Sequence, residues 1–351
     1  MTRGIPPSTG RGRSSIAWAG VVVLLAGAPA AGQAPVREAG GNGPPAAEGG
    51  EWQAPRTPWG DPDLQGMWPL DYINGTPVQR PPEFGERRYL TDEEYAERAA
   101  RLAALNARYE QEVASNRMDM GHWSEMGEPN RLTSLIVEPA NGRVPPLTEA
   151  GRAKAARMTS SWSDIPFDDI GDFNALDRCI TRGLPASMFP FMYNSGIQII
   201  QSPGYVVIRL ELIHETRIVP VDGRPPLDDE IRQWMGDSRG RFEGDTLVIE
   251  TTNFNGETPM LIVGPGGNTI PTSRSLRLVE RLTRVAADTI EYELEVEDPE
   301  MLTGPWKAVF PWKLDPEYRI FEYACHEGNT LIPSLINGTR AARREASAQN
   351  L

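Results

Sequence analysis

The sequence predicts a mainly β domain: an antiparallel meander closing as a barrel, with two or three peripheral helices. Three observations carry that expectation. From Ile197 onward, short runs rich in β-branched and aromatic residues alternate with turn signals. Tight turns at Ser202-Pro203-Gly204, Asp222-Gly223, Gly244-Asp245 and Ala286-Ala287-Asp288 separate the runs. No long helical pattern interrupts them, as parallel crossovers would require. A meander of this kind packs as a sandwich or closes as a barrel, and closure is the preferred reading because it removes exposed edges.

The expected strands are Gly196–Gln201, Tyr205–Val221, Gly240–Glu243, Thr246–Phe254, Ser275–Val285, Thr289–Val296, Trp306–Leu314 and Arg319–Cys325. A short helix is expected at Leu227–Met235. A longer one is expected from Asp92 to Val113, because Thr91 and Glu94 form a capping box and Ala, Leu, Glu and Arg fill the interior. Thr148 caps another over Glu149–Met158. Together they define a helical insertion at about 91–160 in a single domain spanning 57–340. Between the helices, Met118, Met120, Trp123 and Met126 suggest an irregular covering segment.

The N-terminus reads as an export signal over residues 1–32. Arg3, Arg11 and Arg13 precede an apolar run from Ile16 to Ala28, and small residues follow at Ala28-Pro29-Ala30 and Ala30-Ala31-Gly32. That run is shorter than the ~20 residues a spanning helix needs. The expected location is periplasmic or secreted, without a membrane anchor after cleavage. Residues 33–56, rich in Gly, Pro and Ala, are expected to be a disordered leader, and 341–351 a disordered tail. The formal net charge is −13. Nucleic acid and anionic membranes both require basic surface, so neither is expected as a partner. Oligomeric state is not readable. The two cysteines, Cys179 and Cys325, read as a disulfide in an oxidising compartment, with buried free thiols as the alternative.

Two resemblances accompany these readings. Gly66-Met67-Trp68 at the first strand resembles the Gly-x-Trp opening of lipocalin-like barrels, in which the Trp plugs the closed end. Trp234-Met235-Gly236-Asp237-Ser238-Arg239-Gly240, continuing through Glu243-Gly244-Asp245-Thr246-Leu247-Val248, is similar to a block in a family of uncharacterised exported proteins of soil and marine bacteria. So are Thr57–Gly66 and Tyr323-Ala324-Cys325-His326-Glu327-Gly328-Asn329. These resemblances imply export and a shared architecture. They carry over no catalytic residue, because fold likeness does not choose between barrels that carry ligands and barrels that catalyse.

Candidate chemistry rests on scarce histidines. Only His122, His214 and His326 occur, and the last two precede Glu215 and Glu327. Strand alternation places His214 with Ile208, Leu210 and Leu212, and Glu211 with Arg209 and Arg217 on the other face. The first hypothesis is an enzyme: His214 or His326 moves a proton, Glu211 or Glu327 orients or assists it, and Arg217 or Arg239 steadies developing negative charge. Hydratase, lyase, isomerase and hydrolase chemistry all fit, with no nucleotide cofactor. Asp237, Glu297 and Tyr323 are further binding candidates. The competing structural reading makes His214 a buried core residue, the strand charges a solvated ladder, and Asp237–Arg239 a local pair. The second hypothesis is a lipocalin-like carrier of a small apolar ligand. The third is a divalent-metal protein using His214, His326 and a carboxylate. No cofactor is expected otherwise. Phosphate-loop, dinucleotide, Gly-x-Ser-x-Gly and His-Glu-x-x-His motifs are absent from the sequence.

Overall fold

In the computed structural model, residues 52–115, 127–262 and 269–349 are described. The expected signal, most of the leader and the Met-rich covering segment lie outside them. The last leader residues are not free: Trp52 Nε1 donates to the Arg284 carbonyl at 3.0 Å, and Arg56 pairs with Asp245.

The domain is mainly β and its sheets are antiparallel. One sheet has four strands, β1 (Gly66–Met67), β3 (Ile197–Ser202), β4 (Tyr205–Leu210) and β5 (Thr216–Pro220), in that order. The other has six: β2 (Ile136–Glu138), β12 (Trp306–Lys313), β11 (Thr289–Glu297), β10 (Arg277–Ala286), β7 (Thr246–Thr252) and β6 (Asp237–Glu243), in that order. A small hairpin, β8 (Pro259–Ile262) and β9 (Thr269–Pro271), stands apart from both.

Neither sheet closes into a barrel. β5 ends at Pro220, which has no N–H to offer a further ladder, and β1 is only two residues long. On the opposite side Asp315 N–H donates to the Met67 carbonyl at 3.0 Å and Tyr72 Oη to the Pro311 carbonyl, without forming a ladder. The core lies between the sheets. Trp68, Ile197, Ile199 and Ile208 meet Leu247, Leu282, Ile290, Tyr292, Trp306, Phe310 and Trp312. Trp68 is fully buried, its indole N–H donates to Leu64 O at 2.9 Å, and the Arg284 guanidinium covers its ring.

α1 (Asp92–Ala114) starts on the expected capping box, with Thr91 Oγ1 accepting from Glu94 N–H and the Glu94 carboxylate accepting from Thr91 N–H. α2 (Glu149–Ala155) is capped by Thr148 as expected. Three expectations differ. Leu227–Met235 is not helical. The Asn253 amide takes the carbonyls of Leu227, Asp228 and Ile231, and Asp237 takes the Leu227 N–H, so the groups a helix would use are already engaged. Residues 319–325 form no strand but an irregular strap. Beyond it, α3 (Leu331–Gln349) runs through most of the tail expected to be disordered. It is tied back by Phe167 N–H to Thr339 Oγ1 and by Arg343 to Asp168.

Tyr205–Val221 is not one strand either. Ile213 (φ 61) and His214 (φ 46) both take the left-handed conformation and turn the chain sharply between β4 and β5. That conformation is unfavourable for a β-branched residue. The turn reverses the strand's parity: Val206, Ile208 and Leu210 face the core before it, and Arg217 and Val219 after it.

Candidate functional site

The sequence-predicted residues divide into three groups. The first surrounds the β4–β5 corner. Glu211 is buried and accepts four hydrogen bonds: from Asn194 Nδ2 (3.0 Å), Gly196 N (3.3 Å), Tyr318 Oη (2.7 Å) and Phe321 N (3.1 Å). Those donors occupy its lone pairs, so it fastens the strap to the sheet. His214 is exposed rather than core-facing, because the corner turns it outward; its Nδ1 lies 2.8 Å from the Tyr323 carbonyl oxygen. Tyr323 is half-buried and hydrogen-bonded to Tyr193, and burial pushes its phenol pKa well up. Next to it the Cys179–Cys325 disulfide is formed, across 146 residues of sequence, and Asn329 Nδ2 donates to Cys179 Sγ.

The second group lies away from that corner, three of its members exposed and two, Asp237 and Arg239, largely buried. His326 and Glu327 occupy an exposed turn, and Glu297 is exposed at the end of β11. Asp237 and Arg239, two residues apart on β6, pair with each other, and Arg239 also donates to the Pro225 carbonyl. This is the local-pair reading, and it leaves Asp237 holding the Leu227 N–H.

The third group is Arg217 alone, which the parity reversal carries into the core. Its guanidinium grips the Glu280 carboxylate with both terminal nitrogens and reaches Ser238 Oγ (3.3 Å), Thr251 Oγ1 (3.4 Å) and Met188 Sδ (3.3 Å). Tyr292 Oη donates to Glu280 at 2.8 Å. The Tyr292 phenol is pushed far up by burial and then by the neighbouring carboxylate, while Glu280 holds the Arg217 guanidinium above its ordinary value despite burial. With its terminal nitrogens engaged, Arg217 has only a buried Nε left over. It is a fixed internal ion pair and not a clamp for a transient anion.

Glu280 and Tyr292 escaped the sequence reading, yet the signal existed. Glu280 sits between Leu278 and Leu282 on the core parity of β10, and Tyr292 between Ile290 and Leu294 on that of β11. Two further groups were missed. Glu215, expected on the charged face beside His214 but not as a site residue, turns toward Thr181, whose hydroxyl donates to its Oε2 at 2.7 Å. Burial raises its carboxyl to about 7, against smaller lowering by the Thr181 hydrogen bond and the Arg217 charge.

Arg182 follows Thr181. One terminal nitrogen donates to the Phe189 carbonyl at 3.0 Å, and its guanidinium carbon lies 4.4 Å from the Phe191 ring centroid. Among the described residues no carboxylate lies within ion-pair distance of it, and burial pushes its pKa down to about 10. It lines a cleft with Ser187, Phe189, Phe191, Ser195 and Leu212, whose water-sized interior is only about 10 Å³, space for one water. No sequence pattern marks this irregular stretch.

Among the described residues no group of three or more His, Cys, Asp or Glu side chains is placed to hold a metal ion. No family model matches the sequence, and no curated protein is detectably similar to it.

Proposed function

We propose that this chain is an exported small-molecule-processing protein whose two sheets act as a split barrel, with Glu215 as its acid/base group. The observation that carries this reading is the Glu215 carboxyl itself: raised to about 7 and half-buried beside Thr181. A carboxyl in that range is partly ionised near neutrality and can both accept and return a proton. His214 and His326 had that role in the sequence reading. Glu215 takes it over because it is partly withdrawn from water, whereas both histidines are exposed. Thr181 orients the carboxylate, and the Arg217–Glu280 pair fixes the strand that presents it. Export is supported by the N-terminal sequence and by the disulfide, a bond that persists in oxidising compartments. The acidic composition supports a small molecule over nucleic acid.

The test works without identifying the substrate. A panel of small ketones, keto acids and hydroxy acids is incubated with the protein in D₂O, and exchange of protons α to the carbonyl is followed by NMR. Catalysed exchange is expected for at least one class, falling at least 100-fold in Glu215→Gln and unchanged in His326→Ala. Absence of catalysed exchange across the panel, or full activity in Glu215→Gln, removes the acid/base assignment.

A carrier is the second reading, favoured by the apolar walls of the Arg182 cleft: Leu70, Phe189, Ile197, Leu210 and Leu212.

A further inference from the structure

We infer that the Arg182 cleft is a binding site for a small monocarboxylate with an apolar body, roofed by the strap that follows β12. It rests on the small-molecule reading but not on Glu215, so each can fail alone.

The first ground is an unbalanced charge. The protein is strongly acidic, and its exposed arginines find carboxylates readily, as Arg224 does with Asp222 and Arg277 with Glu250. Arg182 is half-buried, has no acidic partner among the described residues, and uses one donor on a backbone carbonyl. A desolvated guanidinium left in that state is costly unless something supplies the counter-charge. Its planar fork matches a carboxylate in a bidentate arrangement, and the Phe191 ring beneath it holds the plane in place.

The second ground is the lining. Ser187 is half-buried on the wall of the same cleft, and its hydroxyl has no partner among the described residues. The remaining walls are apolar or engaged: Ser195 Oγ bonds the Phe191 backbone, and Glu211 is saturated by Asn194, Gly196 and two donors of the strap. One cation, one hydroxyl and aliphatic and aromatic walls select a single anionic head on an apolar body, and reject a polyol or a dianion.

The third ground is the roof. Gly196 lines the cleft, and a Cβ there would fall 2.6 Å from the Tyr318 ring, so strap and cleft wall are in direct contact. The strap is fastened by Glu211, by the Tyr323 carbonyl at His214 and by Cys325. As it stands the cleft admits one water, so a larger ligand needs the wall at Gly196, which Tyr318 backs, to give way.

The experiment uses benzoate, with benzamide as its neutral isostere and 4-fluorobenzoate as an NMR reporter, on the full mature protein. Wild type is expected to bind benzoate and 4-fluorobenzoate at millimolar concentration or tighter and benzamide at least tenfold more weakly. Arg182→Met should lose at least tenfold in benzoate affinity, Arg182→Lys should retain part of it, and Glu215→Gln should leave it unchanged. Tyr318→Ala, which removes the roof while sparing the anchor, should speed association. Ser187→Ala, a small change unable to prevent folding, should weaken benzoate severalfold. Equal binding of benzoate and benzamide overturns the inference. So does absence of binding in both wild type and Tyr318→Ala, or benzoate affinity unaffected by Arg182→Met.

Discussion

Replacing Glu280 by Leu tests the internal ion pair most directly. The side chains of Arg217 and Glu280 are 2% and 0% exposed, so water cannot compensate for the loss of either. In Glu280→Leu the guanidinium keeps only its long contacts to Ser238 and Thr251 and the Met188 sulfur, and the Tyr292 phenol loses its acceptor. Breaking a buried pair by removing one partner costs about 3–5 kcal/mol, and an orphaned buried donor about 1–3 kcal/mol. The two overlap, since both arise from one lost carboxylate, so about 5 kcal/mol is expected. A domain of this size loses roughly 2–4 °C of Tm per kcal/mol, which gives a fall of roughly 10–20 °C by near-UV circular dichroism. The cost comes from leaving charges unpaired, so the triple variant Arg217→Met/Glu280→Leu/Tyr292→Phe should recover most of it. A loss below about 1 kcal/mol in Glu280→Leu, or a triple variant no more stable than the single one, would refute the reasoning.

Three further outcomes follow from other sites. The Glu215 carboxyl is raised from its ordinary value to about 7 in the folded chain, so the folded state binds the extra proton between those limits. Stability should therefore fall as pH rises from about 4.5 to 7, by on the order of 2–3 kcal/mol; urea melts across that range should show the slope in wild type and not in Glu215→Gln. Removing the disulfide in Cys179→Ser/Cys325→Ser releases a loop of 146 residues, worth up to about 5 kcal/mol by chain entropy, and proteolysis should then cut first in the strap at 316–330. Asn253→Ala removes three amide donations and leaves a non-Gly residue at φ 58, so a loss of about 2–3 kcal/mol is expected. Asn253→Gly should lose less, and equal losses in a thermal melt would discard the conformational part.

Strands β3, β4, β7 and β10 to β12 were legible because each buries one face and carries turn residues at its ends. The cap of α1 was legible because its hydrogen bonds are local. Wherever side chains far apart in sequence dictated the backbone, legibility ended. Asn253 unwinds 227–235 from just beyond β7, and nothing in that segment announces it. The β4–β5 corner places Ile213 at a positive φ that its own chemistry disfavours, so alternation carried through it assigns every later residue to the wrong face. That one reversal moved Arg217 inward and His214 outward. Glu280 and Tyr292 could have been found by asking which polar residues share parity with leucines. Arg182 could not, because an irregular segment has no periodicity to break.

The difference between Arg217 and Arg182 bears on where function resides. Both guanidinium groups are withdrawn from water in an acidic protein, yet their surroundings are opposite. Glu280 raises the pKa of Arg217 while burial lowers that of Arg182 to about 10. A scaffold that can supply a carboxylate to a buried arginine, as β10 does, has the means to neutralise the other. Glu211 illustrates the point: it lines the same cleft as Arg182 but is held by four other donors, two from the strap and two from Asn194 and Gly196. Were the cleft only packing, moving that carboxylate onto Arg182 would stabilise the fold. An acidic side chain introduced on the cleft wall, as in Ser187→Asp, should accordingly raise Tm while abolishing benzoate binding, because the new carboxylate competes for the guanidinium. If Ser187→Asp lowers Tm and leaves benzoate affinity intact, Arg182 is not short of a counter-charge and the cleft has no anionic ligand to explain.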